Sequence, residues 1–373
     1  MILDYKKVVY ALSIFLIMIS PLENIFGIEI IIYPLGTVIL ILCIVLKGQI
    51  KFQENICLLI YIAYAILTCF WSKNIDAISS LFTTGMMFLF LYLQLQFDYT
   101  KSVYEKFEYA IIVQGSILLI ICFLFGQYQD NRFWIISNTS GADPNYLSGW
   151  FILPTCICVK NIFKKHNKII VKLLLIIEIL LILFFVMQSG SRSGLICNVG
   201  AIVFCSIYEL RIIIRKKPFV GFLGILVLCM LLGLVWQNLP DTMLYRLQTA
   251  DDNLGGRGDI WKEIFIILSN NILGLLFGMG QGSITLYTSH HIVAHNTFLD
   301  ILFETGIIGL TLYLVFCFTA LRKAFSKGGA ITIALLFNFV LIFTLSSIYM
   351  RPLILMFFMA DCNIYEERKE IYE

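Results

Sequence analysis

Ile169-Ile-Val-Lys-Leu-Leu-Leu-Ile-Ile-Glu-Ile-Leu-Leu-Ile-Leu-Phe-Phe-Val-Met-Gln188 decides the fold, because every residue in it except Lys172, Glu178 and Gln188 is apolar. About 20 such residues wound as a helix cross the ~30 Å hydrocarbon core of a bilayer, with every backbone polar group satisfied inside the segment. The run is too long for a strand and apolar on all faces, so it reads as a membrane span. The rest of the chain agrees. Of 373 residues 60% are hydrophobic and 14% charged, with a mean hydropathy of +0.89. Soluble domains carry about 45–50% apolar and about 25% charged residues. The composition excludes a disordered chain and a cytosolic enzyme built on a nucleotide-binding sheet.

Scanning outward for similar windows gives about twelve candidate spans. They begin near Val8, Ile28, Ile56, Ala77, Phe107, Asn145, Ile169, Ser193, Phe219, Asn296, Ala330 and Pro352. The first and last are short, which leaves ten or eleven open. The expected class is an all-α polytopic membrane protein, residues 1–373 forming one integral membrane domain. A long polar-to-mixed stretch, residues 237–295, separates the ninth and tenth spans. The run from Val8 to Ile19 follows Lys6 and Lys7, as in a secretion signal. No small-residue cleavage site comes after it, so it is expected to stay as the first helix.

An inward N-terminus puts 20 of the 27 basic residues on the inner side and leaves seven outside: Lys73, Arg132, Arg192, Arg246, Arg257, Lys262 and Arg351. That asymmetry follows the positive-inside rule and favours an even span count, both termini cytoplasmic and residues 237–295 outside. Inner connections such as 161–168 and 211–217 read as topology anchors. The eleven cysteines lie in or beside apolar segments, none in the long stretch, so they read as small buried hydrophobes rather than a disulfide framework. Asn138-Thr-Ser140 matches a glycosylation sequon, a short pattern of low information.

The inner side is mostly lysine, whereas the outer side holds five arginines and two lysines. Arginine's planar fork suits phosphate oxygens. Several arginines on the side that disfavours positive charge therefore suggest an anionic ligand, and a lipid-linked phosphate is the natural one. The plainer alternative pairs each with a carboxylate such as Asp130, Asp143, Asp251, Asp252 or Asp259. Gln188-Ser-Gly-Ser-Arg-Ser-Gly194 puts Arg192 at the mouth of a helix, where free N–H groups favour anions, or else forms a tight turn with a capping serine. Gly255-Gly-Arg-Gly-Asp-Ile-Trp261 leads into an amphipathic segment with Ile260, Trp261, Ile264, Ile267 and Leu268 on one face, expected to lie along the membrane surface. Gly278-Met-Gly-Gln-Gly282 lacks the Lys-Ser/Thr of a phosphate loop and reads as a turn at the base of the stretch.

His290, His291 and His295 cluster before the tenth span. Two adjacent histidines and a third four residues on make a poor tetrahedral set without a cysteine, so no metal is expected. Asn296 is a good N-cap, which would set His295 at the rim of a span, where an imidazole can act as general base or merely pack.

In order and spacing, these pieces resemble the O-antigen ligase and Wzy-type polysaccharide polymerase superfamily. The pieces are Trp71-Ser72, Asp143-Pro-Asn145, Ser189-Gly-Ser-Arg-Ser-Gly194, Arg257 with Trp261, Gly278-x-Gly280-x-Gly282, and His295-Asn296-x-Phe298-Leu299 with Glu304, Gly306 and Gly309. The ordered set covers roughly residues 56 to 320. One departure is Asn271-Ile-Leu-Gly274, where the family usually has a proline before the glycine turn. The resemblance implies a GT-C-like fold in a bacterial inner membrane and a metal-independent glycosyltransferase without cofactors. Its donor would be an undecaprenyl-diphosphate-linked glycan, and a flippase and a chain-length regulator would be its partners. It further implies that Arg192 and Arg257 bind the diphosphate, with Arg351 and Arg246 in second rank. His295 would activate the acceptor hydroxyl, while Asn145, Trp261 and Glu304 shape the cavity. A polymerase extends another lipid-linked repeat, and a ligase transfers glycan to lipid A–core. The variety of polymerases, one per glycan, favours the first. A lipid-linked glycan transporter would need charges in mid-helix as a path, and the acidic residues well inside predicted helices seven and eight are Glu178 and Glu209, the latter near an end.

Overall fold

The computed structural model describes residues 4–26, 29–49, 56–129, 131–135, 144–249, 257–289, 291–346 and 351–365. The sequon at Asn138, together with His290, Asp130, Asp143, Asp251 and Asp252, lies outside them. The chain opens with α1 (Tyr5–Phe26), α2 (Glu29–Lys47), α3 (Ile56–Thr68), α4 (Ala77–Gln94) and α5 (Lys101–Phe125). The middle contains α6 (Pro144–Trp150), α7 (Ile152–Phe163), α8 (Ile169–Gln188), α9 (Arg192–Lys216) and α10 (Pro218–Gln237). Four short helices follow: α11 (Asp241–Gln248), α12 (Arg257–Ser269), α13 (Ile272–Phe277) and α14 (Ile284–Tyr287). The chain closes with α15 (Thr297–Lys327), α16 (Gly329–Ile342) and α17 (Arg351–Asp361).

Each expected span start falls on or beside one of these helices, and the chain is a multi-pass membrane protein. Among the described residues eight helical segments are long and apolar enough to cross a membrane. The opening stretch is one of them: α8 is 20 residues long, about 30 Å. α6 and α7 run on through Phe151, which keeps helical dihedrals, as one such segment. α3, α16 and α17 are shorter, at 13, 14 and 11 residues, or about 16–21 Å. α3 passes into a single 3₁₀ turn at Cys69–Trp71.

The main core runs through the bundle, with two smaller apolar clusters beside it. Phe88, Phe107, Tyr313, Phe316 and Phe357 are its bulky, fully buried members. The outward faces stay apolar as well; α10 leaves Phe219, Phe222, Met230 and Trp236 exposed, as a lipid-facing helix must. Two small ladders mark the ends. β1 (Asp98–Thr100) pairs parallel with β4 (Asn363–Tyr365) at one end. β2 (Gly126–Gln129) and β3 (Arg132–Ile135) form an antiparallel hairpin at the other. Lysines 47, 160, 164, 323 and 327 bond to groups at the β1–β4 end. The arginine segments gather at the hairpin end.

Candidate active site

At the hairpin end Arg192 begins α9, and Ser191 caps that helix by accepting from the Gly194 N–H at 3.2 Å. The capping turn foreseen for this segment is therefore real, and it aims an arginine. Arg192 Nη1 donates to the carbonyl of Arg246 in α11 at 2.9 Å, so two of the four expected diphosphate residues meet. A carbonyl is a neutral acceptor: it positions the guanidinium without cancelling its charge. Gly190 holds φ +64°, and a β-carbon there would press on the Arg132 side chain at 3.2 Å. Arg132 Nε donates to the Ser189 carbonyl at 3.0 Å, and its Nη2 lies 3.4 Å from Asn145 Oδ1. Sequence reasoning counted Arg132 among the outer basic residues but did not place it in the site. No motif surrounds it, and its partners lie 13 and 57 positions away. Close approach of α6 and α9 completes this wall: Asn198 Nδ2 donates to the carbonyls of Ser148 and Gly194, each at 2.9 Å.

A second wall is built from the long stretch. α12 buries Ile260, Ile264 and Leu268 against Phe303, Ile284 and Ala294, with Trp261 and Ile267 partly covered. This corrects the expectation of a helix lying on the membrane surface by that face. Its apolar stripe is covered by protein, and Phe265 and Ile266 are the exposed residues instead. Trp261 Nε1 donates to the Ala294 carbonyl at 2.8 Å, and the Ala294 N–H donates to Asp300 Oδ1 at 3.0 Å. The next residue is His295, half-buried at φ +51°. Left-handed backbone at a non-glycine residue costs of order 1–3 kcal/mol and survives only where its surroundings impose it. Here they do: Ala294 is held on both sides, and Asn296 Oδ1 accepts from the Phe298 and Leu299 N–H groups at 3.0 and 3.2 Å. Asn296 is the cap that was expected. Arg257 opens α12, one helical turn before Trp261, so both project from one side of the helix that reaches Ala294.

The glycine turn is a junction. Gly278, Gly280 and Gly282 take φ +86°, +100° and +67°. Met279 and Gly280 N–H groups donate to the carbonyls of Phe303 and Glu304 at 2.8 and 3.0 Å. From the other side Trp71 Nε1 donates to the Gly278 carbonyl at 3.1 Å, and Ser72 Oγ to the Gln281 carbonyl at 2.7 Å. Buried Glu304 accepts from Gln281 Nε2 at 2.7 Å. At Gly306, φ +68° and ψ −172°, α15 kinks where the turn docks. Asn271 caps α13, its Oδ1 accepting from the Gly274 N–H at 2.8 Å.

The two walls meet below. Tyr146 OH donates to the Ser346 carbonyl at 2.5 Å, and Thr297 Oγ1 to the Leu345 carbonyl at 2.7 Å. The segment between α16 and α17 therefore bridges the neighbours of Asn145 and of His295. Arg351 is placed differently from the other arginines. It is buried at the start of α17 and lines a small cavity with Ser13, Ser20, Tyr33 and Gln94, so it is set against α1, α2 and α4 rather than beside the glycine-rich segments. His291, also left-handed, brings Nδ1 within 2.8 Å of the Thr285 carbonyl.

Residues 177–314 match the family model described as O-antigen ligase. The match supports the O-antigen ligase and Wzy-type superfamily. It spans Arg192, Arg246, the second wall and the kink, and it supports a ligase or polymerase function in polysaccharide assembly, with lipid-linked glycans as the substrates the family implies. No curated protein matches the chain.

Proposed function

We propose that the protein is a polysaccharide polymerase acting on the outer side of a bacterial inner membrane, with both termini cytoplasmic. It would transfer glycan from an undecaprenyl-diphosphate-linked donor to a sugar hydroxyl of a lipid-linked repeat unit. The observation that carries the reading is the join at Ala294. Trp261 anchors the Arg257 helix to its carbonyl, Asp300 holds its N–H, and His295 follows in imposed left-handed backbone. An imidazole held beside a helix that begins with an arginine suits a displacement at the sugar's anomeric carbon. The bond from that carbon to the diphosphate oxygen breaks, and a bond to the acceptor oxygen forms. The acceptor proton passes to the imidazole, and the diphosphate leaves with the bonding pair. Negative charge grows on the leaving group, where Arg192, backed by Arg246 and neighboured by Arg132, and Arg257 stabilise it without reorganising. Asn145, Trp261 and Glu304 fix the walls. Arg351, set apart in its own cavity against α1, α2 and α4, stays a second-rank candidate, and a flippase and a chain-length regulator are the expected partners.

Purified protein given only undecaprenyl-diphosphate-linked repeat units tests the reading, and a ladder of longer lipid-linked glycans is the expected product. His295→Ala should lower the rate by about 10²–10⁴ while donor binding persists. A fully active variant would remove the base from the mechanism. The description of the matched family favours one second reading, a ligase. In that case no ladder forms until lipid A–core is added as acceptor. Blank assays together with passage of lipid-linked glycan across vesicle membranes would replace both readings with a transporter.

A further inference from the structure

At the end of the bundle opposite His295, lysines from distant parts of the chain converge on one cavity. α15 runs from Thr297 to Lys327, through its kink at Gly306, between the two ends. The cavity, about 610 Å³, is walled by the start of α5, the end of α7, the end of α15 and the turn after α17. Five ammonium groups face it, from Lys101, Lys160, Lys164, Lys323 and Lys327, against three carboxylates, from Glu105, Glu108 and Asp361.

Among the described residues the pairing offsets part of that excess, and Glu209 of α9 lies close enough to Lys160 and Lys164 to act on both. Glu108, 2% exposed, is shared by Lys160 on one oxygen and Lys164 on the other, the latter at 3.1 Å. Two cations on one carboxylate keep one net positive charge. Lys323 lies 3.5 Å from the fully buried Asp361. Lys327 donates to the carbonyls of Met359 and Cys362, neutral acceptors that orient its ammonium without neutralising it. Tyr104 and Tyr109 rings lie 5.6 and 5.8 Å from Lys327 and Lys164. An ammonium offers three donors, and lysines of this kind act as point charges toward phosphate. Simple anchoring would leave each lysine splayed toward solvent. Here buried acids and backbone carbonyls draw four of them inward around a polar hollow.

We infer that this lysine-walled cavity, remote from the His295 site, binds a phosphate-bearing anion, supplied by an anionic lipid headgroup or by soluble phosphate. Basic hollows between helices at the cytoplasmic face are suited to headgroups, and the inference stands independently of the reaction proposed above.

The test uses the full chain in nanodiscs of phosphatidylcholine with graded phosphatidylglycerol, with retained lipid counted by native mass spectrometry, and inorganic phosphate titrated by calorimetry. Lys101→Gln with Lys164→Gln should weaken binding about fivefold for each lysine removed, since Lys160 still holds Glu108. Lys6→Gln with Lys7→Gln, at an exposed helix start, should leave binding unchanged. Phosphatidylglycerol retention that depends on the cavity lysines assigns the headgroup. Phosphate binding with the same dependence, without lipid preference, assigns the soluble anion. Equal binding by native and cavity variants, equal loss in the Lys6/Lys7 control, or binding of neither ligand overturns the inference. If the double variant does not fold, exposed Glu105→Gln decides. Removing that negative charge should tighten binding severalfold, and unchanged binding counts against the site.

Discussion

Replacing Asn296 by alanine separates the fold of the second wall from its chemistry. The buried Asn296 side chain accepts from the Phe298 and Leu299 N–H groups at 3.0 and 3.2 Å and begins α15. Losing an N-cap of this kind costs about 0.5–2 kcal/mol. An opposing contribution comes from its neighbour: His295 is held at φ +51°, a conformation worth of order 1–3 kcal/mol of strain, and freeing the cap lets it relax. We predict a net loss of stability near 1 kcal/mol or less. Turnover should fall far more, because a displacement of about 1 Å at a reacting group can cost about 10²-fold. Asn296→Ser keeps an acceptor at the same place and should retain most of both quantities. The assay pairs denaturant unfolding, followed by tryptophan fluorescence, with the rate of glycan ladder formation per folded molecule. Alanine that lowers stability yet leaves turnover intact would refute the link between the cap and His295. Equal loss of turnover in Ala and Ser variants would make Asn296 a ligand of substrate instead.

Three further outcomes follow from the same geometry. Arg192→Lys and Arg257→Lys should each lose activity at normal protein levels, because a point charge lacks the bidentate fork; full activity in both would end the diphosphate assignment. Gly280→Ala should destabilise the protein by about 1–3 kcal/mol from its φ of +100° alone. Further loss should come from a β-carbon 2.8 Å from the Ser72 nitrogen, and an unchanged unfolding midpoint would contradict the junction. A reporter fused after residue 255 should read as extracytoplasmic; cytoplasmic activity there would invert the orientation proposed for both ends.

What was legible in the sequence is what a bilayer makes local. A window such as Ile169–Gln188 declares its helix without reference to any partner. The Asn296 cap and the Ser191 turn are likewise decided within a few residues. The illegible features depend on distant pairing. Gly278 and Gly306 look like independent helix breakers in the sequence, yet Gly306 leaves room for the backbone of Leu276 and Gly278, and Gly278 for that of Glu304 and Thr305. α12 is amphipathic whether its stripe meets lipid or protein, so periodicity alone could not tell that Ile264 would be covered. Arg132 needed Ser189 and Asn145 beside it before it could be recognised.

The two ends of the bundle treat positive charge differently, and the difference bears on what each end can bind. At the lysine end buried carboxylates partly neutralise the cluster: Glu108 takes two lysines and Asp361 a third. At the arginine end Arg192 is steered by a carbonyl, a neutral acceptor that leaves its charge uncancelled among the described residues. A guanidinium fixed by neutral acceptors near a low-dielectric interior interacts strongly with an arriving anion, because the Coulomb term grows as the surrounding dielectric falls. A carboxylate partner would have to be displaced or outcompeted at every encounter. A ligand that arrives with two phosphates and departs more negative than it came therefore suits the arginine end, whereas the partly compensated lysine cavity suits an anion that binds and stays.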